Sequence, residues 1–373
     1  MNANASSPPS CTTMVPTAPC ATTRSASCEG STPALGGSVE ARDPDAAVLL
    51  SALQTVYMDK LRPLEEKWYF SQFHHDAMTV ADLQSKPQVL LLGQYSTGKA
   101  VMAGSEDRII KGTALCLIDE LPFTGLSRFG AAFLNHFEAS ICDAEILEHI
   151  TFVDTPGVLV SGKQGDQRGY SFAHAVKWFA DRSDMILLVF DVHKLDISEE
   201  FRQLIGALGA HAEKLRIVLN KAQEVDADRL IKVFGALMWG VGRAFKHKSE
   251  VPKVYVGSFW DGPKRHPDRR VLFQNETFAE DEALLRREMM QLPRNVGLRK
   301  INEMTKRAKL AKVHACILDH LRSQMPWYGA EAAQQRLMEQ LPEVFTAVKR
   351  KYGFPDGDMP DIERYSVYHA KLN

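Results

Sequence analysis

The stretch Gln88-Val-Leu-Leu-Leu-Gly93-Gln-Tyr-Ser-Thr-Gly98-Lys99 constrains this chain more than any other. A short apolar run ends in a glycine, four residues intervene, and Gly98-Lys99 follow. The spacing is that of a phosphate loop, G-x-x-x-x-G-K-[ST], up to its last letter. A buried strand delivers such a loop. Glycines let backbone N–H groups turn inward around an anionic phosphate chain, and the lysine reaches the β- and γ-phosphates. The candidate nucleotide contacts are therefore Gly93, Gln94, Tyr95, Ser96, Thr97, Gly98 and Lys99. The hydroxyl that should meet Mg²⁺ is missing, because Ala100 follows Lys99.

Two motifs downstream fit the same chemistry. Ile150-Thr-Phe-Val leads into Asp154-Thr-Pro-Gly157. Asp154 stands at a strand end, where a carboxylate holds Mg²⁺ through water, and Gly157 would give an N–H to the γ-phosphate. The run Leu215–Leu219 leads into Asn220-Lys221-Ala222, the first half of a base-recognition motif. Guanine reading needs an aspartate one residue later, and Gln223 cannot supply a carboxylate. Three pieces in this order predict an α/β P-loop nucleotide-binding domain with a mostly parallel sheet.

The rest of the chain arranges itself around that domain. Residues 1–42 are Ser, Thr, Ala, Pro and Gly with hardly a charge, and predict a disordered tail. Asp43-Pro44-Asp45 predicts a helix start, and apolar residues then recur at helical spacing until Pro63. A helical segment 43–86 thus precedes the nucleotide domain, 87–279. Within that domain Ala114–Asp119 reads as a strand and residues 124–147 as one or two amphipathic helices. The interval from Ala100 to Thr113 is too short for the helix, switch loop and edge strand that normally follow a phosphate loop. Met185–Phe190 and Val254–Gly257 read as strands, and Tyr170–Ala180, Ser198–Leu208 and Asp226–Phe245 as helices. Residues 280–373 form a second helical segment, broken at Pro342 and at the turn Met325-Pro-Trp-Tyr-Gly329. The basic run Arg294, Arg299, Lys300, Lys306, Arg307, Lys309 and Lys312 reads first as a solvated helix face, with membrane binding as the alternative.

Bulk properties exclude several classes. A net charge of -1 argues against a nucleic-acid partner held by bulk charge. Six scattered cysteines, none in a C-x-x-C pair, indicate neither zinc nor redox chemistry and suit a reducing cytosol. No apolar run approaches the roughly 18–20 residues that span a bilayer.

Gly93-Gln-Tyr-Ser-Thr-Gly-Lys99, Asp154-Thr-Pro-Gly157, Arg168-Gly-Tyr170, His193-Lys-Leu-Asp-Ile-Ser198, Gly235-Ala-Leu-Met-Trp239, Gly257-Ser-Phe-Trp260 and Leu292-Pro-Arg-Asn295 together resemble the EH-domain-containing family of dynamin-like ATPases. Pro63-Leu-Glu-Glu66 and Phe70-Ser-Gln-Phe-His74 resemble that family's N-terminal helical piece. The resemblance implies a dynamin-type nucleotide domain between two halves of one helical domain. It implies ATP bound with Mg²⁺ in a GTPase-like fold, and membrane remodelling in endocytic recycling. It further implies a cytoplasmic protein, peripheral on endosomal or plasma membrane, that dimerises through Trp239 and meets lipid through a tip at Trp327 and Tyr328. The chain departs from the pattern where Ala100 replaces a threonine, where the following helix and switch are absent, and at Gln223. Beside the tip, Glu331-Ala-Ala-Gln-Gln335 lacks the family's lysines, and no EH domain is matched before Asn373. These departures predict weak or absent ATP hydrolysis. The competing expectation is a scaffold that binds membranes or partners without nucleotide. A true GTPase is disfavoured by Gln223 and the helical flanks.

Overall fold

The computed structural model describes residues 11–14, 44–94, 97, 108–119, 121–141, 145–158, 169–195, 197–245, 252–259, 270–326, 330–363 and 365. Its strands are β1 (Cys11–Met14), β2 (Gln88–Gly93), β3 (Arg108–Lys111), β4 (Phe137–Ile141), β5 (Thr151–Asp154), β6 (Met185–Asp191), β7 (Leu215–Asn220) and β8 (Val254–Val256). Helices of nine residues or more are α1 (Pro44–Val56), α2 (Phe172–Arg182), α3 (Glu199–Ala207), α4 (Ala227–Ala244), α5 (Arg270–Gln291), α6 (Val296–Ser323), α7 (Ala330–Glu339) and α8 (Leu341–Tyr352). The chain divides into a unit of residues 1–40 and 85–295 and a second of residues 41–84 and 296–373.

The first unit is built on one eight-stranded sheet in the order β3-β4-β1-β5-β2-β6-β7-β8. Strands β5, β2, β6, β7 and β8 run parallel to one another. Their apolar runs are continuous because both faces are covered. Along β2, Leu90 and Leu92 enter one apolar core with Ile186, Leu188 and Phe190. Val89 and Leu91 enter the opposite core with Leu187, Val189 and Val218. Side chains alternate across a strand, so each run feeds two layers. The sheet therefore carries the C-terminal ends of β2, β5, β6 and β7 to one edge.

Four features of this unit correct the sequence reading. Gly112–Leu115 is a short helix followed by turns, where a strand was expected over Ala114–Asp119. Within 124–147, two helical turns lead into β4, where only helix was expected. The alternation decides it: Phe137 and Ala139 are buried, while Glu138 reaches Lys111 on the antiparallel neighbour β3. Cys11–Met14, within the expected tail, is a strand lying parallel to β4 and antiparallel to β5. Finally, α5 belongs to this unit, so the division falls after Asn295, not after residue 279. Leu285, Met289 and Leu292 complete one sheet core, and Glu288 binds Arg216 and Tyr255.

The second unit joins both flanks of the chain. Tyr57, Leu61, Phe70, Met78 and Leu83 pack with Met304 and Ala311 of α6. Further along α6, Val313 and Ile317 pack with Leu341, Val344, Phe345 and Val348 of α8. The π-helical turn Tyr57–Leu61 precedes Pro63, which sits in the first turn of the next helix, where its missing N–H costs nothing. Gly353 ends α8 in the left-handed region at φ 69°, with its N–H on Lys349 O. The basic run of α6 is not uniformly solvated. Arg307 forms a bidentate pair with buried Glu65, at 2.6 and 2.9 Å, and donates to Asp76 O at 2.7 Å. Lys300 is buried beside Glu303. Among the described residues no helix is long and apolar enough to cross a membrane.

Candidate nucleotide site

Gly93 closes β2 against its neighbour. A Cβ there would lie 2.4 Å from Val189 O and 2.9 Å from Thr97 Oγ1, so only glycine lets the strand end this way. Gln94 bridges to Val158, and Val158 N donates to Gly93 O at 3.1 Å. The chain leaving β5 is thereby laid beside the chain leaving β2. Thr155 Oγ1 adds a bond to Leu91 O at 2.8 Å. Asp154 pairs in register with Leu91 and is partly buried at the strand end, and Gly157 is buried.

Asn220 ties the site together. It is fully buried, and its Nδ2 donates to Thr97 O at 2.9 Å. Its Oδ1 accepts from Lys221 N and from Phe259 N, both at 2.8 Å. One carboxamide thus spans the loop after β2, the end of β7 and the segment after β8. Thr97 is held again by its own hydroxyl, which donates to Gln94 O at 3.1 Å. Lys221 has φ 62°, and its Nζ meets the buried carboxylate of Asp191 at 2.6 Å. Asp191 also accepts from His193 N at 2.9 Å.

The sheet therefore brings together Gly93, Gln94, Thr97, Asp154, Gly157, Asn220 and Lys221. Tyr95, Ser96, Gly98, Lys99 and Ala100 lie outside the described residues, as do Trp327 and Tyr328. Asp191, Asp281, Glu282 and the Phe259 amide were not foreseen. Asp191 had a signal, since it follows an apolar strand run just as Asp154 and Asn220 do. Asp281 and Glu282 had none: they accept from Val256 N and Ser258 N, each at 2.9 Å, across 25 and 24 residues.

The site suits the loop and base of a nucleotide better than its metal. Mg²⁺ in such sites takes one or two carboxylates together with phosphate oxygens. Asp154 is the carboxylate in place, while position 100 offers no side-chain oxygen. Among the described residues no group of three or more His, Cys, Asp or Glu converges to hold an ion.

Trp239 stands on α4, 72% exposed, in an i, i+4, i+8 row with Gly235 and Ile231, and Ile231 is equally exposed. Beside it Leu195, Ile197, Arg202, Gly240 and Arg243 line a cavity of about 180 Å³.

Residues 52–84 match a family model described as N-terminal EH-domain containing protein, and residues 295–372 match a domain of unknown function, DUF5600. EH domain-containing protein 3 of Homo sapiens is 42% identical over 352 residues, covering 87% of this chain and 65% of that protein. EH domain-containing protein 1 of Bos taurus is 41% identical over 340 residues, covering 84% and 62%. The chain thus spans a little under two thirds of the length of these curated relatives. Among solved structures, the LeoA bacterial dynamin GTPase from ETEC is 12% identical, with a TM-score of 0.37 over 82% of this chain and 57% of that one.

Proposed function

We propose, from the premise that the chain belongs to the EH-domain-containing protein family, that it is a dynamin-superfamily protein that binds a purine nucleoside triphosphate and remodels membranes. The observation that carries this reading is the Asn220 carboxamide, which joins the phosphate-loop, base-motif and β8 segments within 2.9 Å. Family resemblance favours ATP over GTP. Lys99 and the loop N–H groups would hold the phosphates, and Asp154 would hold Mg²⁺ through water, where the ion would supply charge stabilisation for phosphoryl transfer. Hydrolysis is slow, because phosphoryl transfer depends on positioning and charge stabilisation and Ala100 withdraws a metal ligand.

The protein acts peripherally, on endosomal or plasma membrane. Trp327 and Tyr328 meet the lipid interface, and the apolar row ending at Trp239 joins two copies. Isolated exposed apolar residues are common, but a row at helical spacing beside a cavity supports self-association.

The test is equilibrium binding of ATP with and without Mg²⁺, then single-turnover hydrolysis, each beside Lys99→Ala. Lys99-dependent binding with slow turnover is the expected result. A Lys99-dependent rate equal to that of an intact relative would overturn the impaired reading. Absence of any nucleotide binding would leave the second reading, a nucleotide-independent scaffold, which Ala100 favours. Trp239→Ala should shift a sedimenting dimer to monomer, and Trp327→Ala with Tyr328→Ala should abolish liposome flotation.

A further inference from the structure

The sheet contains a slot that the strands beside it cannot close. The interval after Lys99 is too short to supply a helix, a switch loop and an edge strand, and the strand it does supply, β3, stands at the outer edge of the sheet. Among the described residues β3 pairs only with β4, and neither of them pairs with β5. The pair β3–β4 joins the parallel strands only through β1, the N-terminal segment Cys11–Met14. All of β1 runs parallel along β4, from Cys11 opposite Phe137 to Met14 opposite Ser140. On its other side Thr13 faces Val153 and Met14 faces Phe152, antiparallel.

Neighbouring strands lie about 4.8 Å apart, so β4 and β5, with β1 between them, stand roughly 10 Å apart. They cannot bond to each other across that distance. Phe137, Ala139, Ser140, Phe152 and Val153, which flank the slot, are buried with β1 seated. An empty slot would leave unpaired N–H and C=O groups along both walls, the condition under which a sheet takes up another strand. We propose that the slot between β4 and β5 is a strand-acceptor site, that residues 11–14 are its resident strand held in cis, and that this resident exchanges with an extended segment of the same chemistry.

The sequence suits a resident that can leave. Thr12 and Thr13 favour extended backbone. Pro9 and Pro16 bracket the strand. Proline has no N–H to give a ladder, so pairing cannot lengthen past them. Residues 15–43 separate the strand from α1. A chain of that length spans up to roughly 100 Å when extended, so the strand can leave and return without moving the helix. Occupancy also bears on the nucleotide domain, because Val153 directly precedes Asp154 and the resident strand braces it.

Hydrogen exchange on the native full chain is the first test. On average the amides of residues 12–14 should exchange about 100-fold or more below the intrinsic rates of an unstructured chain. Exchange at the intrinsic rates would overturn the proposal. Thr13→Pro, again in the full chain, removes a ladder N–H and unseats the strand. A labelled peptide of residues 8–17 at micromolar concentration should bind that variant and not the native protein, where the tethered strand has the higher effective concentration. Ala21→Pro, outside the strand, should behave as native. Equal peptide binding to native protein and Thr13→Pro would show that the slot is not filled in cis. A folded Thr13→Pro protein that ignores the peptide would show that there is no acceptor site. If Thr13→Pro fails to fold, exchange in the native chain decides alone. None of these readouts requires nucleotide, so their failure is distinct from a failure of nucleotide binding.

Discussion

In the sheet unit one set of buried polar side chains gathers where strands end. Thr97, Thr155, Asp191 and Asn220 all lie at the C-terminal edge, and most of their bonds go to backbone groups of the loops there. In the helical unit two buried polar contacts run between chain segments far apart in sequence. Arg307 meets Glu65 across 242 residues, and His314 meets the Trp68 carbonyl across 246. The first set shapes loops on a scaffold already held by apolar layers. The second fastens two flanks whose apolar cluster is small. Equal burial therefore has unequal consequences: in one unit it serves the site, in the other it serves assembly.

Breaking the fastener should have the largest effect. Arg307→Ala leaves the buried Glu65 carboxylate with the Tyr57 hydroxyl but without its counter-charge, and removal of one partner from a buried ion pair costs about 3–5 kcal/mol. Hydrogen exchange of amides in residues 44–84 reads this loss directly. A change under about 1 kcal/mol would show that the Arg307–Glu65 pair does not fasten the two flanks. Replacing both partners, Arg307→Met with Glu65→Leu, should recover most of the stability.

Asn220→Ala comes next. It strands the Phe259 N–H and the Thr97 carbonyl, at about 1–3 kcal/mol for an orphaned buried group. The melt of the sheet unit should fall modestly while ATP affinity falls steeply. If affinity stays unchanged, the clamp does not shape the loop.

A smaller, pH-dependent effect belongs to His314. Burial is the main influence and pushes its imidazole below the usual range, while its bond to Trp68 O works the other way. His74 and Tyr365 face it from the other elements, Tyr365 Oη at 2.7 Å and His74 Nε2 at 3.2 Å. The folded unit holds His314 neutral, whereas the unfolded chain takes up the proton near pH 6.5. Its contribution is therefore present above about pH 6.5 and is lost as pH falls through the depressed folded value. Urea midpoints of the helical unit should decline between pH 7.5 and 5, and His314→Asn should flatten that decline. The smallest effect is expected at an exposed cap that belongs to neither set. Asp226 accepts from Arg229 N at 2.7 Å, and Asp226→Ala should cost about 1 kcal/mol with nucleotide binding unchanged.

The sequence revealed the sheet unit more fully than the helical one, for a physical reason. Buried parallel strands are written as continuous apolar runs, and β2, β5, β6 and β7 each end at a residue type that the chemistry demands. What escaped was pairing at a distance. No local pattern distinguishes Arg307 from its solvated neighbours, because its burial depends on Glu65. Helix α5 reads as part of a helical tail until Asp281, Glu282 and Glu288 are seen on the sheet edge. Strand β4 is only five residues long, and its alternation is overshadowed by the helical turns before it.

The two-flank construction of the helical unit also sets a schedule for synthesis. Residues 41–84 leave the ribosome first, but Met304 and Ala311, which cover Tyr57, Phe70 and Leu83, arrive only after residues 85–295. At roughly 5–20 residues per second that interval is on the order of 10–40 s. Throughout it an apolar stripe waits without its mate, a natural target for chaperones that hold nascent chains. The sheet unit, encoded mostly in one stretch, can close during the wait, so the helical unit is the last to form and the one most exposed to slow translation.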